Sequence, residues 1–420
     1  MSLQLLAACE HGLIEEVQQL LCFKKIDLNC QDDSVRRRTA FYLACEFGHL
    51  EIVKLLLNEK RVDVNKGYSE TPFYIACQNG HLEVVRLLLN QKRVKVDKES
   101  ITGQTPFDIA CGNGHTEIVK LLLNDKRVDV KRINKNDYGN SPFYIACENG
   151  HIEIVKLLLN DKRIVINKTK NRFGETPLYI ACKNGHFEIV KLLLHDERVD
   201  INKSILYGET PFYVACLNGH IEIVNYLLND NRIDVNKADD EGLSPLYVAC
   251  ENGQVEVVKL LFNDNRVDIN QANKYGETPV FTACYNGWAK IVKVILEDKR
   301  VDVNKAKNDQ TTPFGTACWN ERTEVVKLLL EDKRVDVNKA NMDGRTPLMA
   351  AGWYLDIVQH ILASGKEINL NAKNLDGNTV IDIGRIKKHD AVIELLESFI
   401  KNPNETRFQL RVQLGFAGKN

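Results

Sequence analysis

The sequence predicts an all-α repeat solenoid of stacked helix–turn–helix units. An Ala-Cys pair recurs along the 420-residue chain, and its cysteines follow one another at intervals of 32 to 36 residues. A regular period near 34 indicates that each unit buries its apolar face against its neighbours. The cysteines of this ladder are Cys9, Cys45, Cys77, Cys111, Cys147, Cys182, Cys216, Cys250, Cys284 and Cys318. Continued forward to Gly352 and Arg385, the ladder predicts a solenoid of about twelve units over residues 1–400.

Each unit carries the signals of two short helices. Nine of the ten prolines follow a Thr or Ser, as Pro245 follows Ser244. This pair predicts a helix start, because the hydroxyl caps free N–H groups and proline fits the first helical position. The helix should end near an Asn-Gly pair, and apolar residues every three to four positions then predict a second helix, as in 82–89. An extended Val-Asp-Val-Asn segment and a turn glycine predict a short β-hairpin finger.

Charge and hydropathy exclude several classes of protein. The 56 Lys and Arg residues nearly balance the 57 Asp and Glu residues, so the net charge of -1 gives no basis for attraction to nucleic acid or an anionic membrane. The N-terminus lacks the basic region of a signal peptide, and no apolar run approaches the ~18 residues of a membrane span. We therefore expect a cytoplasmic monomer, with the nucleus as the alternative compartment.

The twelve cysteines do not predict a disulfide framework. Equivalent points on stacked helices lie about 8–10 Å apart, whereas a disulfide requires Cα atoms within about 7 Å. The ladder cysteines should therefore be buried, reduced thiols that act as small core residues. Cys22 and Cys30 lie off the ladder and are expected to be free as well.

Two recurring patterns resemble chemical sites. Inner repeats contain Cys-x-x-x-His, as in Cys77 and His81, but a structural zinc requires four ligands and each repeat supplies two. The histidine should instead pack in the turn against the adjacent unit. A column of arginines, Arg127 among them, is usually followed two residues later by an Asp such as Asp129, and another acidic residue often precedes the arginine. This pattern favours local ion pairs over a polyanion track. We expect no catalytic residue, no metal and no cofactor.

In its order of helix, tight turn, helix and finger, the sequence resembles the ankyrin repeat family. Thr-Pro-Phe-Tyr-Ile-Ala-Cys and Asn-Gly-His-Leu-Glu-Val-Val-Arg-Leu-Leu-Leu match the motifs of that family. The histidine that the family carries after Thr-Pro-Leu is tyrosine in many repeats here and Gly315 in the tenth. The glycine that usually follows the second helix is missing, and the eleventh unit lacks two residues between Tyr354 and Leu355. This deletion should distort the unit.

The resemblance implies that a partner would contact the fingertips and the ends of the first helices on a concave face. The residue after the ladder position is polar or charged in most of the early repeats, whereas later ones carry Leu217, Tyr285, Trp319 and Trp353. Fingertip aromatics show a similar bias: Tyr138, Phe173, Tyr207 and Tyr275. Clustered exposed aromatics are typical of interfaces. The predicted partner-binding residues are Leu217, Tyr275, Tyr285, Trp319 and Trp353; the alternative is that they fill space beside Gly315 and the missing turn.

These observations favour a non-catalytic scaffold or adaptor that binds another protein through its concave face. One alternative is the targeting or substrate-recognition portion of a larger enzyme, such as a kinase or ubiquitin-ligase subunit. Another is a structural spacer without a bound partner.

The tail over residues 401–420 alternates apolar and polar positions from Phe408 to Phe416. This period-two pattern favours a strand that packs on the last repeat. The alternative interpretation is a peptide that is offered to a partner.

Overall fold

The computed structural model describes residues 1–132, 139–167 and 173–415. The chain divides into two compact units, Met1–Leu206 and Tyr207–Asn420, which are described separately. Within the described residues each unit contains six helix pairs, and the second unit ends in one additional helix. The all-helical repeat architecture is thus confirmed, while a single solenoid over residues 1–400 stays a prediction.

Twelve helices lie in the described residues of the first unit. They are α1 (Ser2–His11), α2 (Ile14–Leu21), α3 (Ala40–Glu46), α4 (Leu50–Asn58), α5 (Pro72–Gln78), α6 (Leu82–Leu89), α7 (Pro106–Gly112), α8 (Thr116–Asn124), α9 (Pro142–Glu148), α10 (Ile152–Asn160), α11 (Pro177–Lys183) and α12 (Phe187–Leu194).

The second unit continues the same alternation of first and second helices. Its elements are α13 (Pro211–Asn218), α14 (Ile221–Leu228), α15 (Pro245–Glu251), α16 (Val255–Asn263), α17 (Pro279–Asn286), α18 (Ala289–Glu297), α19 (Pro313–Trp319), α20 (Thr323–Glu331), α21 (Pro347–Ala350), α22 (Leu355–Ala363), α23 (Val380–Lys387), α24 (Asp390–Lys401) and α25 (Pro403–Gln413). No helix in the described ranges combines the length and apolar character of a membrane span.

Each predicted cap is present at the first helices that open on Thr or Ser. In α5 the Thr71 hydroxyl accepts a hydrogen bond from the backbone N–H of Tyr74, and Pro72 occupies the first turn. Gly80, at the helix stop, adopts the left-handed conformation with φ +78°. Local sequence signals therefore determine where the first helices begin and end.

The fingers differ from the predicted β-hairpins. In the described part of the chain they are tight turns that form no strand. The turn at Asn273, for example, is closed by two backbone hydrogen bonds of 3.0 Å, from Asn273 N–H to the Glu277 carbonyl and from Gly276 N–H to the Asn273 carbonyl. Neighbouring fingertips are joined by one backbone hydrogen bond, such as that from Asn308 N–H to the Tyr275 carbonyl at 2.9 Å. Each finger is too short for a ladder of paired residues.

The core of each unit lies between stacked first and second helices. First helices contact first helices of the adjacent repeats, and second helices contact second helices. Phe73, Cys77, Val85 and Leu88 of the third repeat are fully buried. All ten ladder cysteines are buried free thiols, and Cys22 and Cys30 are also free, as predicted. Burial raises the pKa of the Cys9 thiol to about 12, which leaves it protonated and unreactive at neutral pH.

Histidine and asparagine side chains bind consecutive repeats together. His81 Nε2 donates to the Glu46 carbonyl of the preceding repeat at 2.8 Å, and Asn79 Nδ2 donates to the same oxygen at 2.7 Å. Gly48 leaves room for the histidine ring: a Cβ there would lie 2.5 Å from His81 Nδ1. We call this inter-repeat contact the staple. It confirms that the histidine packs in the turn against the adjacent unit.

The arginine column is occupied by structural contacts. Arg334 pairs with Asp332 at 2.6 Å, and its Nη2 donates to the Leu296 carbonyl at the end of the preceding second helix at 2.8 Å. Asp336, the acidic residue two positions later, instead accepts from the backbone N–H of Asn338. The predicted local pairing is therefore present, but its partner is the preceding Asp. Asp332, directly after the second helix, has φ −81°, so this helix end requires no glycine.

An asparagine ladder, which the sequence analysis missed, links successive loops. Asn270 Nδ2 donates to the Arg300 carbonyl at 2.9 Å, and Asn270 Oδ1 accepts from Asp302 N–H at 2.9 Å. Asn304 makes the equivalent pair of bonds with Arg334 and Asp336. Because one amide satisfies both a carbonyl and an N–H, the loops are held in register without strands.

The end of the second unit departs from the regular repeat. As predicted, the deletion distorts the eleventh unit: α21 has four residues, where α19 has seven. The strand prediction for the tail is wrong, because residues 403–413 form α25, which contacts α22 and α24. Thr406 and Leu410, one helical turn apart, are its buried residues. Phe416 lies outside the described residues.

Candidate functional site

The tyrosine of each regular first helix fills a slot between its own repeat and the next finger. Tyr247 is 4% exposed, and its hydroxyl donates to Glu277 Oε2 at 3.2 Å. Tyr144 makes the equivalent bond to Glu175 at 2.8 Å. Burial first, and then the nearby carboxylate, raise the pKa of both phenols well above the usual value. The tyrosine thus supplies a new hydrogen bond in place of the family histidine.

Repeats nine and ten lack this tyrosine. In the ninth, Phe281 occupies the slot and the Lys307 ammonium lies 5.6 Å from its ring centre. In the tenth, Gly315 leaves the slot without a side chain, and a cavity of about 370 Å³ opens beside it. Tyr285 and Trp319 are among the residues that line this cavity, which we call the Gly315 pocket.

Three of the predicted partner-binding residues lie at or just after the ends of successive first helices. Tyr285 and Trp319 are 50% and 43% exposed, which leaves much of both rings open to solvent. The Trp319 and Trp353 rings meet edge to face with their centroids 5.3 Å apart. We call Tyr285, Trp319 and Trp353 the aromatic patch.

Trp353 is the least exposed member of the patch. It lies in the turn after the shortened α21, is only partly exposed, and its indole N–H is buried without a hydrogen-bond partner in the described residues. An unsatisfied buried donor costs about 1–3 kcal/mol. Trp353 therefore combines a packing contact with Trp319 and an unused polar group.

The remaining two predicted residues do not join the patch. Leu217 is half-buried and packs against Tyr213, Tyr247 and Val248. Tyr275 occupies a fingertip with its side chain 60% exposed, and it does not line the Gly315 pocket. Of the other fingertip aromatics, Tyr138 lies outside the described residues.

Trp288 has a role that its sequence position did not reveal. Its indole Nε1 donates to the Glu251 carbonyl at 2.9 Å, and its ring packs over Gly253. These are the contacts that histidines make in the earlier staples. Arg322 takes the same position one repeat later and donates to the Tyr285 carbonyl at 3.0 Å. The signal was available in the 34-residue spacing, which aligns Trp288 with His220.

Because Trp288 substitutes for a staple histidine, Trp288→His should change the free energy of unfolding by less than about 1 kcal/mol. Trp288→Ala removes the hydrogen bond and a half-buried ring, and should lower that free energy by about 2 kcal/mol. Urea unfolding of both variants measures the two effects. Equal losses in both would contradict the assignment of Trp288 to the staple.

Charged side chains surround the Gly315 pocket in an uneven arrangement. Lys307 lies 3.8 Å from Glu277 and 3.3 Å from Asp309. The pKa of Asp309 is lower than usual. Partial burial of this carboxyl would raise its pKa, but hydrogen bonds from Thr311 and the positive charge of Lys307 outweigh that effect. Arg345 also lines the pocket and is exposed, and its side chain makes no ion pair or hydrogen bond in the described part of the chain.

The comparison with protein families agrees with this architecture. The model for ankyrin repeats (3 copies) matches overlapping stretches that together run from residue 5 to residue 406: 5–100, 92–170, 109–205, 162–239, 197–273, 246–341, 289–374 and 317–406. No curated protein matches the chain. Repeats of this family generally mediate protein–protein interaction. The chain belongs to the ankyrin repeat family.

Proposed function

We propose that this chain is a non-catalytic scaffold or adaptor that binds a partner protein through the aromatic patch. The observation that carries the proposal is the pair of half-exposed rings, Tyr285 and Trp319, beside an open pocket. Tyrosine and tryptophan provide large, rigid contact areas and dominate interface hot spots. Leu217 and Tyr275 would contribute at the margin of this surface.

The contrast with the first unit supports the same surface. The positions equivalent to Tyr285 and Trp319 hold Gln78, Glu148 and Lys183, which are polar. Polar residues are what a solvated helix end normally carries, so the aromatic residues of the later repeats call for a specific role. We expect the adaptor to act in the cytoplasm as a monomer.

The targeting portion of a larger enzyme is the alternative function. It uses the same surface, and an intact mass of the protein from its native source distinguishes the two. A structural spacer would have no use for exposed aromatic rings, and it predicts that their substitution leaves binding unchanged.

An affinity pull-down from the native lysate tests the proposal, with wild type compared to a Tyr285→Ala, Trp319→Ala, Trp353→Ala triple variant. The matched control replaces Gln78, Glu148 and Lys183 by alanine, since these residues occupy equivalent positions in the first unit. Circular dichroism establishes that both variants are folded.

We expect wild type and the control to retain the same partner and the triple variant to lose it. Retention by all three proteins would overturn the assignment to the aromatic patch. A wild-type bait that captures nothing specific would overturn the adaptor function itself in favour of the spacer.

A further inference from the structure

The Gly315 pocket corresponds to a tyrosine slot whose tyrosine is missing. Gly315 aligns with Tyr247 and Tyr213, which are almost fully buried in their own slots. A Cβ added at Gly315 would meet Thr312 Oγ1 at a tight 3.3 Å and Pro347 Cγ at 3.8 Å, so a side chain fits if the threonine shifts by a few tenths of an ångström. The aromatic walls, Tyr285 and Trp319, remain half exposed.

The tenth repeat differs from the regular slots at a second position as well. In several regular slots the tyrosine hydroxyl donates to an acceptor immediately before the next helix cap, such as Glu277 for Tyr247 or Gln104 for Tyr74, whereas Tyr213 donates to Asp239. At the tenth repeat that position holds Arg345, a donor without a partner in the described residues. The slot of the tenth repeat therefore contains no tyrosine ring, and the cationic Arg345 stands where those slots have a hydrogen-bond acceptor.

We infer that the Gly315 pocket receives a tyrosine side chain from the partner protein, with Arg345 donating to the phenol oxygen. The inference rests on the proposed protein-binding function and specifies its contact. The slot geometry fits a phenol ring, because the equivalent position holds one in repeats seven and eight, as Tyr213 and Tyr247. A guanidinium donates and cannot accept, so it selects a ring that carries an oxygen over a plain phenyl ring.

The test uses the full chain labelled with 5-fluorotryptophan. Its three tryptophans, Trp288, Trp319 and Trp353, give three ¹⁹F resonances that single Trp→Phe variants assign. The probes are N-acetyl-L-tyrosine amide and N-acetyl-L-phenylalanine amide. The blocking variant is Gly315→Tyr, which restores the side chain of the regular repeats, and Arg345→Met removes the donor.

We expect a saturable shift of the Trp319 resonance on addition of the tyrosine amide, while the Trp288 resonance stays fixed. A hydrogen bond to a charged group predicts about tenfold weaker binding of the phenylalanine amide. Arg345→Met should bring the two affinities together. Gly315→Tyr should abolish the shift without lowering the melting temperature.

The inference fails if the Trp319 resonance does not respond, if both amides bind equally to wild type, or if the folded Gly315→Tyr variant binds as wild type does. The pull-down separates this failure from that of the proposed function. A partner that the aromatic triple variant loses, but that Gly315→Tyr retains, leaves protein binding intact and overturns the pocket assignment.

Discussion

Gly80→Ala should lower the free energy of unfolding by about 2–4 kcal/mol, because it adds a steric clash to a strained backbone. Gly80 has φ +78°, and an alanine Cβ would lie 2.6 Å from Cε1 of His115. The histidine ring has little freedom to move, since its Nε2 is hydrogen-bonded to the Gln78 carbonyl at 2.8 Å. The substitution would therefore disrupt a staple as well as a turn.

Two matched variants isolate the clash from the strain. Gly174, in the same unit, has φ +74° and, among the described residues, no neighbour closer than 3.9 Å to an added Cβ, so Gly174→Ala should cost only about 1–2 kcal/mol. In a double-mutant cycle with His115→Ala, the extra cost of Gly80→Ala should disappear. Urea unfolding of wild type, the three single variants and the double variant gives the five free energies. Equal losses for the two glycine variants would show that the contact between the added Cβ and the His115 ring has no cost, which contradicts this prediction.

Asp108→Asn should stabilise the protein at pH 8 and have little effect near pH 4. Asp108 occupies the tyrosine slot of the fourth repeat and is 1% exposed. Burial raises the pKa of its carboxyl to about 7, although hydrogen bonds from Thr105 oppose the shift. Asp108 Oδ1 has no hydrogen-bond partner in the described residues. Asparagine keeps an oxygen for the Thr105 N–H and carries no charge.

The pH dependence follows from the direction of this shift. The unfolded carboxyl titrates near its ordinary pKa of about 3.9, so between about pH 4 and pH 7 the folded chain binds the proton more tightly. Stability contributed by this group therefore falls as pH rises through that window and is constant above it. The full penalty is on the order of 4 kcal/mol.

Urea unfolding of wild type and Asp108→Asn at several values of pH measures the difference. We expect the difference in unfolding free energy to grow from pH 4 to pH 7 in favour of asparagine and then to level off. The neighbouring Asp97 carboxyl, whose pKa is also raised by burial, is common to both proteins and largely cancels. A difference that does not vary with pH would contradict the account.

Local signals made most of the fold predictable. The Thr-Pro pair at Thr71 starts one helix and Gly80 ends it, so both signals are local to that helix. The buried Cys77 recurs at the spacing with which successive helices stack. The tail was mispredicted because α25 depends on its packing against α22 and α24, which the alternation of residues 408–416 does not encode. The asparagine ladder was missed because it depends on the register between successive loops.

The candidate site was predictable where it followed from position in the repeat. The exposure of Tyr285 and Trp319 follows from their place after the ladder cysteine. The Gly315 pocket was harder to anticipate, since it arises from a missing side chain, and its charge comes from Arg345 in the next finger. The role of Trp288 depends on a hydrogen bond to the preceding repeat, and the pattern of aromatic residues alone does not predict that bond.

The central claim is that the aromatic patch is the main contact for the partner. Its most direct measurement is the affinity of the purified, captured partner for wild type, for the Tyr285, Trp319 and Trp353 triple alanine variant, and for the Gln78, Glu148 and Lys183 control. Loss of hot-spot residues worth about 2 kcal/mol or more predicts at least roughly a 30-fold weaker Kd for the triple variant. The control should bind as wild type does. Equal affinities for all three proteins would contradict the claim.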